Sequence, residues 1–311
     1  MAPHSINSLQ QFLGRQARKP VPEPLLALAE AASQRHDGVV AVLFYGSCLR
    51  SGRIDEGLAD LYLLVDDYQR ALDNVLQARL NRLLPPNVFY LETLYQGQTL
   101  RAKYAVVSLE DFVNANQHWF HSYFWARFAQ PTRLVRVRDP RVEAEITTAF
   151  VAAVHNFVTA TLPRMNGPFS SRELWIRGLE LTYASELRSE RPGTAGRLYD
   201  ADPRYFDVLT AAVLQPLRQE ADGPRYLFPV TSWERLRSSA LWTLRKLQGK
   251  ALSVLRLLKA LLTFSNGMDY ILWKIHRHSG VTVDIPPTLR RFPPLAAIYA
   301  IFKALRQGGF R

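Results

Sequence analysis

Cysteines, metal-ligand clusters and long apolar runs are all scarce in this sequence of 311 residues. Cys48 is the single cysteine, so the chain can form no internal disulfide, which suits a reducing compartment. The seven histidines are scattered and have no metal-ligand spacing. Residues 251–264 are strongly apolar but number only 14, and Arg256 and Lys259 interrupt them. This segment is therefore too short and too charged to span a bilayer.

Acidic residues are nearly missing from the end of the chain. From Arg235 onward, 14 lysines and arginines stand against two acids, Asp269 and Asp284, a net charge of +12 (14 − 2). Residues 1–234 hold the remaining 25 basic and 25 acidic residues and balance to zero. A neutral front and a basic tail predict a negatively charged partner for the tail, either lipid headgroups or nucleic acid.

Both ends of the chain leave alternatives open. Residues 1–22 contain no acid and lack the apolar core of a secretory signal. A transit peptide is one interpretation, and an amphipathic arm leading into a helix over residues 23–35 is the one we favour. In the tail, residues 251–264 and 295–306 are either core helices or basic amphipathic helices that lie on an anionic membrane. We favour the membrane for the terminal piece, which has fewer neighbours to bury it.

The most informative stretch runs from residue 39 to residue 67. Two continuous apolar runs predict strands that are covered on both faces. Gly46-Ser47 follows the first run, twelve residues separate this pair from Asp60, and Asp60 begins the second run. This is the layout of a nucleotidyltransferase core. Glycine lets the backbone approach a triphosphate, serine and nearby N–H groups hold its oxygens, and a carboxylate one strand away holds Mg²⁺.

The rest of the chain predicts an α+β protein. Hydrophobic periodicity predicts a helix over residues 68–84, strands over 87–94 and 101–108, and helices over 141–162 and 171–190. We predict three domains. They are a nucleotidyltransferase-like mixed sheet with flanking helices over residues 1–140, a helical, winged-helix-like domain over 141–235, and a basic helical region over 236–311.

Several polar residues around this core are candidates with competing interpretations. Tyr62 stands where nucleotidyltransferases commonly carry a second acid. Glu92, on the third strand, is either a second metal ligand or a strand-edge charge facing water. Lys103 suits a phosphate group as a compact cation, and Arg127 suits one as a fork of donors. The aromatic residues before Arg127 predict a helix face that belongs to the core or to a lipid groove.

The segment over residues 103–131 resembles the mitochondrial-type phosphatidate cytidylyltransferase family, the translocator assembly and maintenance proteins. That family has a Tyr-Gly-Ser turn and an Asp-bearing strand that lacks the second acid. A Lys-Tyr-Gly-Val-Val-Ser strand, a helix with a tryptophan and a Gly-Arg-Leu-Gln-Lys-Pro ending follow. The resemblance covers roughly residues 40–210 and departs at Ala105 and Ala126. It rests on Tyr45-Gly46-Ser47, Asp60, Lys103-Tyr104-Ala105-Val106-Val107-Ser108, Trp119, Ala126-Arg127-Phe128-Ala129-Gln130-Pro131, and Leu181-Thr182-Tyr183-Ala184-Ser185-Glu186-Leu187-Arg188.

The resemblance implies a Mg²⁺-dependent enzyme that converts CTP and phosphatidic acid to CDP-diacylglycerol and pyrophosphate. It would be a peripheral membrane protein on the cytoplasmic face or, if the N-terminus is a transit peptide, on the matrix face of the mitochondrial inner membrane. Anionic lipid is then a better partner than nucleic acid. The implied catalytic residues are Asp60, Lys103 and Arg127. The implied substrate contacts are Tyr45, Gly46, Ser47, Ser108, Tyr183 and Arg188, and the metal ligands are Asp60 and Glu92.

Two other functions stay open. One is nucleotidyl transfer to a soluble acceptor such as a hydroxyl group, which would need an additional base, for example Glu92. The other is a non-enzymatic module in which the missing acid marks lost catalysis. Such a module would bind anionic lipid or nucleic acid without binding Mg-CTP.

Overall fold

The protein is described here from a computed structural model, and its chain divides into two compact units. The helical unit comprises residues 1–21 and 108–254, and the sheet unit comprises residues 22–107 and 255–311. The α+β class is confirmed. The helical unit contains both predicted domain boundaries, at residues 140 and 235. The division into three domains stays a prediction. The described residues are 3–54, 57–186, 192–214, 217–220, 223–263, 283–290, 296, 299, 300, 302, 303 and 306.

Helices and strands are numbered in chain order over these residues. The helices are α1 (Pro3–Ala17), α2 (Glu23–Ser33), α3 (Ser47–Ser51), α4 (Tyr68–Ala71), α5 (Val75–Leu83), α6 (Leu109–Gln117), α7 (Trp125–Phe128), α8 (Pro140–Thr161), α9 (Ser171–Tyr183), α10 (Thr194–Asp200), α11 (Pro203–Val213), α12 (Ser232–Thr263) and α13 (Pro287–Arg290). The strands are β1 (Val39–Tyr45), β2 (Ala59–Val65), β3 (Asn87–Tyr95), β4 (Gln98–Ser108), β5 (Arg133–Val137), β6 (Phe169–Ser170), β7 (Arg218–Glu220) and β8 (Gly223–Tyr226).

In the sheet unit, four strands lie side by side in the order β3-β4-β2-β1. The pairs β1/β2 and β3/β4 are antiparallel. Strands β1 and β2 are buried along nearly their whole length, which confirms the prediction from their continuous apolar runs. Tyr45, at the end of β1, pairs with Asp60, at the start of β2. The sheet thereby places the Gly46 turn beside the Asp60 side chain.

The single helix predicted over residues 68–84 is wrong, because the structure breaks it into α4 and α5. Asp67 caps α4 by accepting the N–H groups of Gln69 and Arg70, and Asn74 caps α5 in the same way. Asx side chains compete for backbone donors and so start a new helix within a run that is periodic in apolar residues. Pro85-Pro86 follows α5.

The helical unit has a core of stacked aromatic rings around α8. Phe157 of α8 stacks on Trp175 of α9 with ring centroids 4.4 Å apart, and the indole N–H of Trp175 donates to Thr210 Oγ1 at 2.9 Å. A capping box of Ser170 and Glu173 starts α9. By length and composition alone, residues 140–164 could cross a membrane, yet 56% of an apolar stretch of 18 residues within them is buried inside the fold. Core helices of this length pass the same test.

A small three-stranded sheet completes the helical unit. Its strand order is β6-β8-β7, and both pairs are antiparallel. The aromatic segment that was predicted to form one helix face is not a helix. Instead, α6 ends at Gln117, the next residues form turns, and α7 is a single turn. Phe124 is fully buried, whereas Trp119 and Phe120 line a cleft.

The last turns of α12 belong to the sheet unit and point their basic side chains inward. Lys259 is 6% exposed, and its ammonium donates to Asn81 Oδ1 at 3.2 Å, Pro86 O at 2.9 Å and Leu84 O. Burial, and secondarily repulsion from Arg256, lowers the pKa of Lys259 to about 7. Leu255, by contrast, is 50% exposed. This helix end is therefore held by polar anchors and leaves apolar side chains outside.

The predicted terminal piece over residues 295–306 lies largely outside the described residues. Where it is described, Ala296 and Ala300 are buried in a small cluster with Val283 and Ile285. Phe302 is 57% exposed. Membrane contact by this piece stays a prediction.

Candidate functional site

The Gly46 turn joins β1 to α3 in a conformation that only glycine adopts readily. Gly46 has φ 89° and ψ −158°, and its backbone lies against the side chain of Asp60. A Cβ atom on Gly46 would lie 2.7 Å from Asp60 Oδ2. The missing side chain therefore lets the backbone of the turn lie directly against that carboxylate. The approach seen here is to Asp60, and the predicted approach of this backbone to a triphosphate stays a prediction.

Asp60 and Lys103 form an ion pair at the centre of the sheet unit. Lys103 Nζ lies 2.9 Å from Asp60 Oδ1, and the side chains are 38% and 20% exposed for lysine and aspartate. Strands β2 and β4 are neighbours in the sheet, which explains how residues 43 positions apart in sequence (103 − 60) come together. Both groups stay reachable from solvent, so an incoming phosphate can contact the ammonium group.

The remaining predicted residues of this turn lie around the pair. Ser47 is the first residue of α3 and is exposed. Tyr45 is partly buried, and its ring packs against that of Tyr62 with centroids 5.3 Å apart. Tyr62, in the position of the second acid, is fully buried. Cys48 is also buried, and its thiol donates to Leu58 O at 3.3 Å.

Glu92 is not brought to Asp60 as a second metal ligand. Its carboxylate accepts a hydrogen bond from Arg101 Nε at 3.0 Å and another from the hydroxyl of Tyr90. Strand β4 lies between β3 and β2, which separates their backbones by about 10 Å at ordinary strand spacing. Across the part of the chain that the structure describes, no group of three or more His, Cys, Asp or Glu side chains could hold a metal ion.

Three of the predicted site residues belong to the helical unit. Arg127 of α7 stacks over the ring of Tyr123 at 4.3 Å, and its Nη2 lies 3.8 Å from Glu186 Oε1. Tyr183 ends α9 and is partly buried. Ser108 is 7% exposed and caps α6 by accepting the N–H of Asp111 at 3.1 Å. Its hydroxyl is thus a helix cap, and its predicted substrate contact is left without support.

Arg188 lies outside the described residues, and its predicted contact with substrate stays a prediction. Arg245 of α12 was missed by the sequence reasoning altogether. Its guanidinium lies over the rings of Phe120, at 4.5 Å, and Trp242, at 4.9 Å. The spacing of Trp242 and Arg245 along one helix was a usable signal, but the partner Phe120 comes from a turn distant in sequence.

Chemically, the sheet unit brings together the ammonium group of Lys103, the carboxylate of Asp60 and the glycine turn at Gly46. Lysine is a compact charge suited to phosphate, and a lone carboxylate can contribute one oxygen to a divalent cation. This combination suits a phosphate-containing ligand better than a nucleophilic or acid–base site. Comparison with protein-family models and with curated protein sequences finds no match for this chain.

Proposed function

We propose that the protein is a nucleotidyltransferase that makes CDP-diacylglycerol from CTP and phosphatidic acid. The observation that carries the proposal is the pair formed by Asp60 and Lys103 beside the bare backbone of Gly46. The sequence resemblance described above supplies the identity of both substrates. The arrangement in the sheet unit supports the class of ligand, because all three groups suit a polyphosphate.

In the proposed reaction, a lipid phosphate oxygen attacks the α-phosphorus of CTP in line. One P–O bond forms, the bond to the bridging oxygen breaks, and pyrophosphate leaves with its electron pair. Lys103 offsets the charge that builds on the leaving pyrophosphate, while the turn at Gly46 and Ser47 seats the triphosphate. A phosphate monoester is already anionic at neutral pH, so this acceptor needs no general base. The absence of a carboxylate at Tyr62 is compatible with such an acceptor.

Asp60 fits the minimum requirement for a Mg²⁺ site of this kind. In nucleotide enzymes Mg²⁺ is held by one or two carboxylates, and substrate phosphates and water complete its shell. Asp60 Oδ2 lies against the backbone of Gly46, 2.7 Å from where a Cβ atom would be. When bound there, the ion would neutralise charge on the triphosphate. Glu92, which is held by Arg101, is left out of the proposed site.

The membrane surface is proposed from an exposed apolar stripe on α12. Five exposed side chains form this stripe, and their spacing along the chain places them on one face of the helix. Helix α12 also carries Arg237 and Lys250, which are both exposed, and such cations suit anionic headgroups. We define the stripe as Trp233, 70% exposed, Leu236, 63%, Leu244, 54%, Leu247, 65%, and Val254, 44%.

The test is release of pyrophosphate from each of the four NTPs with Mg²⁺, with and without phosphatidic acid in mixed micelles. We expect release that needs both CTP and the lipid. Lys103→Met should lower the rate by about 100-fold, as removal of one transition-state contact does. Its matched control is Arg101→Met, two residues along the same strand, which should stay within about threefold of wild type.

The carboxylate is tested in the same way. Asp60→Asn should abolish Mg²⁺-dependent release, whereas Glu92→Gln should retain it. Release with CTP but without lipid would indicate a soluble acceptor instead. If no pyrophosphate is released under any condition while vesicle binding is intact, the protein is a binding module and not this enzyme.

A further inference from the structure

The helical unit contains a cleft of about 510 Å³, a size suited to a small-molecule ligand. Trp119, Phe120 and Trp125 line one part of it, and α12 contributes Arg237 and Arg245. The cleft thus combines aromatic walls with two cations. Nothing in the proposed transfer reaction uses it.

Arg245 is a cation held within aromatic side chains. Its guanidinium lies over the rings of Phe120, Trp242 and, at 5.9 Å, Trp125, and its Nε donates to Phe120 O at 2.9 Å. No carboxylate of the described residues forms an ion pair with it within 4.0 Å. Desolvation by burial lowers its pKa from the ordinary value for arginine. A partly buried cation without an anionic partner is costly, and a bound anion would offset that cost.

The one acid that lines the cleft is already engaged. Glu234 Oε2 accepts the N–H and the hydroxyl of Thr231, both at 2.8 Å, at the start of α12. These hydrogen bonds lower the pKa of Glu234 and direct its charge to the helix N-terminus. The remaining charges on the cleft wall are those of Arg237 and Arg245. An anion is therefore the ligand that this wall favours.

The apolar stripe runs along the same helix beside the cleft. Trp233 and Leu244 belong to the stripe, while Arg237 is four residues after Trp233 and Arg245 follows Leu244. A ligand with an anionic head and apolar chains matches this arrangement. We propose that the cleft binds the phosphate headgroup of an anionic membrane lipid whose chains remain in the bilayer against the stripe. The inference rests on the proposed membrane surface and needs neither CTP nor the transfer reaction.

The test is binding without nucleotide or Mg²⁺. Full-length protein is sedimented with phosphatidylcholine vesicles that contain or lack phosphatidic acid. A soluble short-chain phosphatidic acid is titrated in parallel by calorimetry. Arg245→Gln should weaken both interactions about tenfold, the effect of losing one charged hydrogen-bond donor. The matched control is Lys250→Gln, an exposed cation on the same helix outside the cleft, which should weaken them less than about threefold.

Two further variants separate the parts of the proposal. Arg237 lies on the exposed rim of the cleft, so the Arg237→Gln variant is expected to fold normally. It tests lipid binding by the cleft if Arg245→Gln unfolds. The double change Leu244→Ser with Leu247→Ser should abolish vesicle binding and leave calorimetric binding of the short-chain lipid intact.

Equal losses for the arginine variants and Lys250→Gln would overturn the cleft site in favour of diffuse charge attraction. Competition by inorganic phosphate as effective as that by the lipid would overturn the lipid as the ligand. Failure of pyrophosphate release together with cleft-dependent lipid binding would refute the transferase and leave this inference standing.

Discussion

Replacing Gly46 by alanine tests whether the turn positions the Asp60 carboxylate. The backbone of Gly46, at φ 89° and ψ −158°, lies in a region that is essentially restricted to glycine, at a cost of about 1–3 kcal/mol for other residues. In addition, the new Cβ would lie 2.7 Å from Asp60 Oδ2. An ordinary C···O contact is about 3.3 Å, so the carboxylate must move by about 0.6 Å.

The Gly46→Ala change should therefore act on stability and on function. We expect a loss of about 1–3 kcal/mol in the free energy of unfolding, measured by urea denaturation. Displacement of the carboxylate disturbs its 2.9 Å contact with Lys103 and should lower pyrophosphate release by at least about tenfold.

Gly52→Ala is the matched control at the other end of α3. Gly52 has φ 72° and ψ −3°, and a Cβ there would meet nothing within 4 Å. The control should cost about 1–2 kcal/mol for the left-handed conformation and leave the rate unchanged. If Gly46→Ala and Gly52→Ala lost the same stability and kept the same rate, the proposed positioning of Asp60 by this turn would be refuted.

Two pH-dependent predictions concern buried bases of the sheet unit, and urea denaturation over a pH series measures both. Between pH 7 and about 10.5 Lys259 is protonated in the unfolded chain but has lost its proton in the folded one, so the free energy of unfolding should rise with pH over this range by on the order of 5 kcal/mol in total. Lys259→Met should remove that rise, and an unchanged slope would show that another group titrates. Burial lowers the pKa of His36, whose ring nitrogens bond Ala71 O at 2.8 Å and the Tyr104 hydroxyl at 3.1 Å. As the pH falls below about 6.5, the unfolded chain gains a proton that folded His36 does not, so stability should fall; His36→Gln should flatten this acid limb, and a limb as steep as that of the wild type would locate the titrating group elsewhere.

Local patterns predicted the elements whose signals are carried by neighbouring residues. The apolar runs of β1 and β2 and the helix α8 all appear where the sequence places them. The prediction failed where a short polar side chain competes with the helix. The cap at Asn74 breaks the periodic run over residues 68–84, and periodicity alone does not register it.

The features of the candidate site also divide into those that local sequence predicts and those that depend on the tertiary structure. The Gly46 turn follows from the spacing of a strand, a turn and a second strand, which is local information, whereas its contact with Asp60 depends on the antiparallel pairing of β1 with β2. Lys103 was a candidate from the sequence, but its ion pair with Asp60 depends on β4 lying beside β2, and strand order is decided by the packing of the whole sheet. The same limit misplaced Glu92, whose partner turned out to be Arg101 directly opposite on β4.

For this protein the sequence by itself determined the α+β class, the two buried strands, the Gly46 turn and the basic character of α12, because each depends on residues close together in the chain. Only the tertiary structure decided which way the charges of α12 face. Arg245 and Lys259 point inward to aromatic rings and carbonyl oxygens, while Leu244 and Leu247 stay exposed. An amphipathic pattern shows that a helix has two faces, and the partners that distant segments bring to it decide which face is buried.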